Sequence, residues 1–237
     1  MCNSGGLCLA QLCELGVVTD KSVGGPVGLT MSNQEEIHAE KHRRWRLDAR
    51  RQYDDVVTRD ALLEHLKAHA LRTDGPFTLR SGAVSSWYLD ARQTTFDGQG
   101  AWVVGRAVYE VLATEVEAVG GMTMGADPIA IATAMVAADH GRPLKAFSIR
   151  KTAKDHGTGG RLVGPIGPGA KVAILEDTTT TGGAAVEAAE HAIEEGLHIV
   201  QAIALVDRSD GLAASNFAAL GIPHVALATP SDLGVDA

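Results

Sequence analysis

Beyond residue 13 the chain has no cysteine: Cys2, Cys8 and Cys13 are all three that it carries. Disulfides therefore play no part in the stability of the globular part. The spacing of the three, with no histidine before His38, makes no zinc framework, and they read as incidental thiols. No apolar run approaches the roughly 18 residues that a membrane-spanning helix needs. The most apolar early stretch, 7–18, is interrupted by Gln11 and Glu14 and comes after no positive charge, which makes it a poor signal peptide. Positive charge is scarce as well. A formal net charge of -8 excludes bulk attraction to nucleic acid, so a polyanionic ligand has to be met by a local cluster of cations. Aromatic residues make up 4% of the chain, so the adjacent pair Trp87-Tyr88 stands out. These absences predict a soluble, cytoplasmic protein with neither nucleic acid nor membrane as partner. The 45% hydrophobic content over 237 residues suffices for one substantial core.

The first thirty residues are glycine-rich, poor in charge and without sustained periodicity, whereas Met31 is followed by Ser32 and an acidic, helix-friendly run. We read 1–30 as a flexible extension with a native start near Met31, 31–96 as a small unit of helices and a hairpin, and 97–237 as the core. Ser32 with Glu35 forms a capping box, and Asp60 is placed to cap a second helix that turns Leu62, Leu63, Leu66 and Ala70 inward. The basic patch of Lys41, Arg43, Arg44, Arg46, Arg50 and Arg51 reads as a solvated helix face. In 77–92, Phe77 and Leu79 alternate with Thr78 and Arg80, Ser81-Gly82 turns the chain, and 84–89 run back as a second strand. Strand alternation puts Trp87 and Tyr88 on opposite faces. One ring can then pack inward while the other offers a flat surface to a planar ligand, although taken alone both read as core residues.

Next come an amphipathic helix over 100–116, a glycine-rich segment over 118–126, and a helix over 128–138 with Pro128 in its first turn. The glycines serve either close packing of strand on helix or a second anion contact. A strand over 144–149 leads into a crowd of cations, Arg150, Lys151, Lys154, His156 and Arg161, set among glycines. A segment of that kind suits a mobile lid over a polyphosphate, and the crowding of cations in an acidic protein argues for a bound anion.

Residues 172–183 hold the densest signal. Val172 to Leu175 are four apolar residues without alternation, as in a strand buried on both faces. Glu176 and Asp177 come next, then Thr178, Thr179, Thr180, Thr181, Gly182 and Gly183, and a helix over 184–193. Small residues at a helix N-terminus make a phosphate cradle, and the acidic pair suits sugar hydroxyls or a magnesium ion. A strand over 198–206 then ends at Asp207-Arg208, with a helix over 213–220 and a strand over 224–227 after it. The alternation predicts an α/β fold, a doubly wound, mostly parallel sheet flanked by helices, with a small N-terminal helix and hairpin hood. Ligands belong at the carboxyl ends of its strands, where Glu176, Asp177, Lys151 and Arg208 fall.

Over about 60–228 these blocks resemble the type I phosphoribosyltransferases, and within them the orotate phosphoribosyltransferases. The run from Glu176 to Gly183 is similar to the signature that binds phosphoribosyl pyrophosphate (PRPP) throughout the superfamily. The run from Arg150 to Gly157 is similar to the catalytic loop of the orotate enzymes, that from Phe77 to Gly82 to their N-terminal motif, and Asp207-Arg208 to the place where they set an arginine against the orotate carboxylate. The chain departs from the pattern at Arg80, where lysine is usual, at Ser85-Ser86-Trp87-Tyr88, where many members have serine-proline before the aromatics, and at Glu176, where others have aspartate.

The resemblance implies transfer of ribose 5-phosphate from PRPP to orotate. Lys154, His156 and Asp177 are the implied catalytic residues, and Arg150, Lys151, Lys154 and His156 bind pyrophosphate. The threonines and glycines of 178–183 bind the 5-phosphate, and Glu176 and Asp177 the ribose hydroxyls. Arg80, Trp87, Tyr88, Thr180 and Arg208 attend the base. Mg²⁺ is the implied cofactor, held mainly by substrate and also by Glu176 and Asp177, and the implied assembly is a homodimer whose lids reach into each other's sites. A purine phosphoribosyltransferase and a non-catalytic PRPP-sensing regulator are the competing readings. The former has no carboxylate for Arg208 to meet, and the latter needs a recognition module for which 31–73 leave little room.

Overall fold

A computed structural model describes residues 58–78, 82, 84–153 and 160–236. The expectations for 1–57, which include the cysteines, the capping box at Ser32 and the basic patch, and those for Arg80, Lys154 and His156, lie outside the described residues.

Helix α1 (Thr58–His65) runs on into a π-helical turn, Leu66–Ala70. Leu62, Leu66 and Ala70 are buried as their spacing predicts, and Leu63 is half-buried. Asp60 is not the cap but lies inside the first turn, because polar Thr58 and Arg59 extend the helix backwards where apolar periodicity gives no signal. Its charge still favours that end of the helix dipole.

Four two-residue strands come next: β1 (Leu71–Arg72), β2 (Phe77–Thr78), β3 (Val84–Ser85) and β4 (Tyr88–Leu89). β2 pairs antiparallel with β3, the expected hairpin, but β4 leaves it to pair with β1. The return strand expected over 84–89 is split at Ser85. The Ser85 hydroxyl donates to the Trp87 carbonyl at 2.7 Å and accepts from the Trp87 N–H at 3.3 Å, so a side chain occupies backbone groups that a continuous ladder would use.

After α2 (Arg92–Thr95), helix α3 (Gly98–Val111) starts at an Asp97 cap, whose carboxylate accepts from the Gly100 N–H at 2.8 Å. The helix was expected to reach residue 116 but stops at Val111. Distant side chains take the backbone groups that another turn would have paired: Gln201 bonds the Ala113 N–H at 2.7 Å and the Val111 carbonyl at 3.2 Å, and Arg142 the carbonyls of Ala113 and Val116.

The rest is β5 (Ala118–Met122), α4 (Ala126–Asp139), β6 (Lys145–Ile149), β7 (Leu162–Val163), β8 (Lys171–Thr179), α5 (Gly183–Glu194), β9 (His198–Asp207), α6 (Leu212–Ala219), β10 (His224–Ala228) and α7 (Pro230–Leu233). The strand order is β10-β9-β8-β5-β6-β7, parallel throughout except that β7 runs against β6 at the edge. Strict alternation of strand and helix therefore fails between β7 and β8, where 164–170 hold no helix. In β8, Ala173 and Leu175 join one core cluster while Val172 and Ile174 join the other, so both faces of the strand are covered as its unbroken apolar run predicts. From β5 the chain goes to β6 on one side and then to β8 on the other. The order of strands thus reverses between β5 and β8, and a doubly wound sheet opens its ligand crevice at such a point.

Candidate active site

At that reversal lies a cleft of about 500 Å³. Its floor is the end of β8, with Glu176 and Asp177. One wall is the turn from β5 into α4, Thr123 to Ala126, and the start of α5 and the side chains of Arg92 and Lys151 complete it. The acidic pair does not come after the strand, as expected, but lies within it. Pairing with β9 continues through Thr178 opposite Val206 and Thr179 opposite Asp207, and the Arg208 N–H donates to the Thr179 carbonyl at 2.8 Å. Strand geometry thus fixes both carboxylates.

Burial pushes the Glu176 carboxyl up from its ordinary 4.5 to about 7; the neighbouring Asp177 charge works in the same direction, and the Thr179 hydroxyl, 3.2 Å away, works against it. Asp177 is also raised by burial, opposed by the Thr178 N–H at 2.7 Å and by the charge of Arg92. Two desolvated carboxyls side by side favour a ligand that brings hydroxyl donors or a cation. Among the described residues no three His, Cys, Asp or Glu side chains are grouped to hold a metal. Two carboxylates alone fit an ion that takes its other ligands from a substrate.

The glycine-rich segment shows the first of its two expected uses, close packing. A Cβ at Gly120 would fall 2.2 Å from the Phe147 carbonyl and one at Gly121 2.3 Å from the Leu175 carbonyl, so these glycines let strands and helix close up. A Cβ at Gly125 would fall 2.8 Å from Asp177 Oδ1, so this glycine brings the start of α4 against the acidic pair. Thr180 and Thr181 are exposed before α5. Gly182 has φ +78 and a Cβ there would press on Ala213, so glycine is required by conformation and space alike. Asn216 of α6 steadies the turn, donating to the Thr181 carbonyl at 2.9 Å.

Lys151 lines the cleft and is exposed. Arg161 differs from expectation: it is no free cation awaiting an anion. It pairs with Glu187 of α5 and donates through Nε to the Arg150 carbonyl at 2.6 Å, which pins the base of the loop. Crowding therefore points to a bound anion only for the other cations.

On the far side of the cradle Arg208 lies over the Trp87 ring, 4.0 Å from its centroid. Trp87, which lies between the two short strands, is 6% exposed and Tyr88 38%, so one ring is packed inward and the other is open. Burial lowers the pKa of Arg208, which an ionised Tyr88 would oppose, and the Arg208 Nε is buried without a hydrogen-bond partner among the described residues. Sequence reasoning missed Arg92, Gly125 and Asn216. Arg92 was within a block already singled out, and its neighbour Asp90, which accepts from its Nε at 2.7 Å, was the available signal.

No protein-family model matches the chain. It is 42% identical over 184 residues to an orotate phosphoribosyltransferase of Streptomyces avermitilis, covering 77% of this chain and 100% of that one. To that of Aquifex aeolicus it is 39% identical over 181 residues, covering 75% and 98%. Among solved structures, the Mycobacterium tuberculosis orotate phosphoribosyltransferase in complex with PRPP is similar at a TM-score of 0.63 and 31% identity, over 75% of this chain and 99% of that one. An adenine phosphoribosyltransferase of Leishmania donovani, at 12% identity and a TM-score of 0.51, shares the fold alone. With these identities sustained over nearly the whole length of its relatives, the chain belongs to the orotate phosphoribosyltransferase family.

Proposed function

We propose that the cleft at the end of β8 holds PRPP and that Arg208, at the neighbouring end of β9, receives orotate. The chain is an orotate phosphoribosyltransferase: it moves ribose 5-phosphate from PRPP to orotate, releasing pyrophosphate and forming orotidine 5'-phosphate for pyrimidine synthesis. N1 of orotate attacks the anomeric carbon as the bond to pyrophosphate breaks, with inversion and oxocarbenium character, and the N1 proton passes to an oxygen of the departing pyrophosphate. Orotate is already an anion, so the reaction asks for placement and for stabilised leaving charge more than for a strong base.

In our assignment Thr178 to Gly183 take the 5-phosphate at the N-terminus of α5, and Glu176 and Asp177 take the ribose hydroxyls. Arg150, Lys151, Lys154 and His156 take pyrophosphate, with Lys154, His156 and Asp177 closest to the chemistry. Arg208 grips the orotate carboxylate with Arg80 and Thr180 beside it, and exposed Tyr88 offers its ring to the base. The observation that carries the base assignment is the buried, unpartnered Nε of Arg208 at the strand end next to the cradle. A buried donor without an acceptor is unfavourable, and a substrate carboxylate relieves it. Glu176 and Asp177 would help to hold Mg²⁺, which would supply charge neutralisation for the leaving pyrophosphate. We further assign a homodimer with lids exchanged between subunits, working in the cytoplasm.

The test is Arg208→Ala. Orotate use should fall steeply while PRPP affinity is kept; unchanged orotate kinetics would remove the base assignment.

A further inference from the structure

Beneath Arg208 lies a support drawn from distant parts of the chain. An arginine side chain has many rotamers, and an anchor that must meet a planar carboxylate in one orientation works best when that freedom is removed beforehand. Arg208 has only its backbone tied to β8, through the Thr179 carbonyl. Its guanidinium rests instead on the face of Trp87, 4.0 Å from the ring centroid. Trp87 in turn is fixed at both ends. Its backbone is clasped by the Ser85 hydroxyl, and its indole N–H donates to the Asp236 carbonyl at 3.0 Å.

The segment that supplies this carbonyl is itself held. Thr229 and Asp232 form a capping box at the start of α7, and Asp232 pairs with Arg59 of α1 at 2.8 Å. A ring covered by a guanidinium and 6% exposed has no free face for a base.

We propose that Trp87 is a positioning residue: held by the Asp236 carbonyl, it pre-sets the Arg208 guanidinium for the orotate carboxylate and does not itself contact the base. This rests on the reading of Arg208 as the orotate anchor.

The test is a double-mutant cycle read as separate KM values for orotate and PRPP, with thermal melts of each protein. Trp87→Met fills the volume without a flat ring and should raise the orotate KM about tenfold, within what a desolvated cation–π contact supplies, with the PRPP KM within twofold. Trp87→Phe keeps a ring under the guanidinium and should restore the orotate KM to within threefold. In an Arg208→Ala background neither change should raise the orotate KM further, because the ring acts only through the arginine. The proposal is overturned by effects of Trp87→Met and Arg208→Ala that multiply, by equal rises in both KM values that track the loss of melting temperature, or by a phenylalanine variant as poor as the methionine one. An Arg208→Ala protein with normal orotate KM would remove the underlying reading as well. A rise for Arg208→Ala with none for Trp87→Met would remove only the positioning role. Should Trp87→Met fail to fold, Trp87→Phe carries the test alone: it must have no effect in the Arg208→Ala background, and a rise there would contradict the proposal.

Discussion

The ends of β8 and β9 lie side by side in register, yet they are built in opposite ways. At the end of β8 everything needed is contiguous: strand, two carboxylates, a small-residue turn and a helix N-terminus succeed one another within 171–194. At the end of β9 the sequence supplies one arginine, and the rest comes from far away, Trp87 from the hairpin and the Asp236 carbonyl from the segment after α7. The first site is charged and poorly compensated, its carboxyls pushed up by burial. The second is braced by stacking and hydrogen bonds. On the proposed assignment, a cradle for a charged, flexible sugar phosphate can leave compensation to its ligand, whereas an anchor for a small planar acid has to be rigid beforehand.

The contrast is most exposed at the chemistry. Lys154→Ala should lower kcat by about 10²- to 10³-fold in initial-rate assays, as for loss of a transition-state contact; a near-normal rate would show that the lid does not belong to this site. Mixing Lys154→Ala with Asp177→Ala chains should recover part of the activity if lids are exchanged, and no recovery would confine each site to one subunit.

Gly125→Ala tests the β8 side. The new methyl would sit 2.8 Å from Asp177 Oδ1, and displacement of that carboxylate should raise the PRPP KM about tenfold with the orotate KM little changed. Equal effects on both substrates would show that the two ends are not independent.

The next effect is on stability. Folded Glu176 keeps its proton up to about pH 7, whereas the unfolded chain loses it near 4.5, so this group's contribution to stability falls as pH rises between those values. Glu176→Gln mimics the protonated form. It should stabilise the substrate-free protein by on the order of 1–3 kcal/mol at pH 8 and by nothing at pH 4, read as melting temperature. A gain independent of pH would contradict the desolvation argument. Smallest is Glu187→Ala, which frees the exposed end of the Arg161 pair and should shift the melting temperature by no more than about 2 °C, in keeping with a partly exposed ion pair.

The difference between the two strand ends also explains what was legible in the sequence. The small-residue turn between strand and helix, the buried strand and the doubly wound order arise from runs of adjacent residues, and the structure reproduces them to within a few positions. Two of the failures, the length of α3 and the role of Arg161, share one cause, a distant side chain taking over a local backbone or charge; the split hairpin and the displaced cap at Asp60 have local ones. Gln201 and Arg142 occupy the groups that would have extended α3, and Glu187 neutralises a cation that sequence counted as free. The Trp87–Arg208 stack joins segments far apart in the chain, and no spacing rule reaches across that distance.

The decisive measurement is the reaction itself, with the full chain, PRPP and Mg²⁺ incubated with orotate and, in parallel, with adenine and hypoxanthine. Orotate should disappear with one pyrophosphate released for each orotidine 5'-phosphate formed, and the purines should be left untouched. Consumption of a purine in preference to orotate, or loss of PRPP without a nucleotide product, would contradict it.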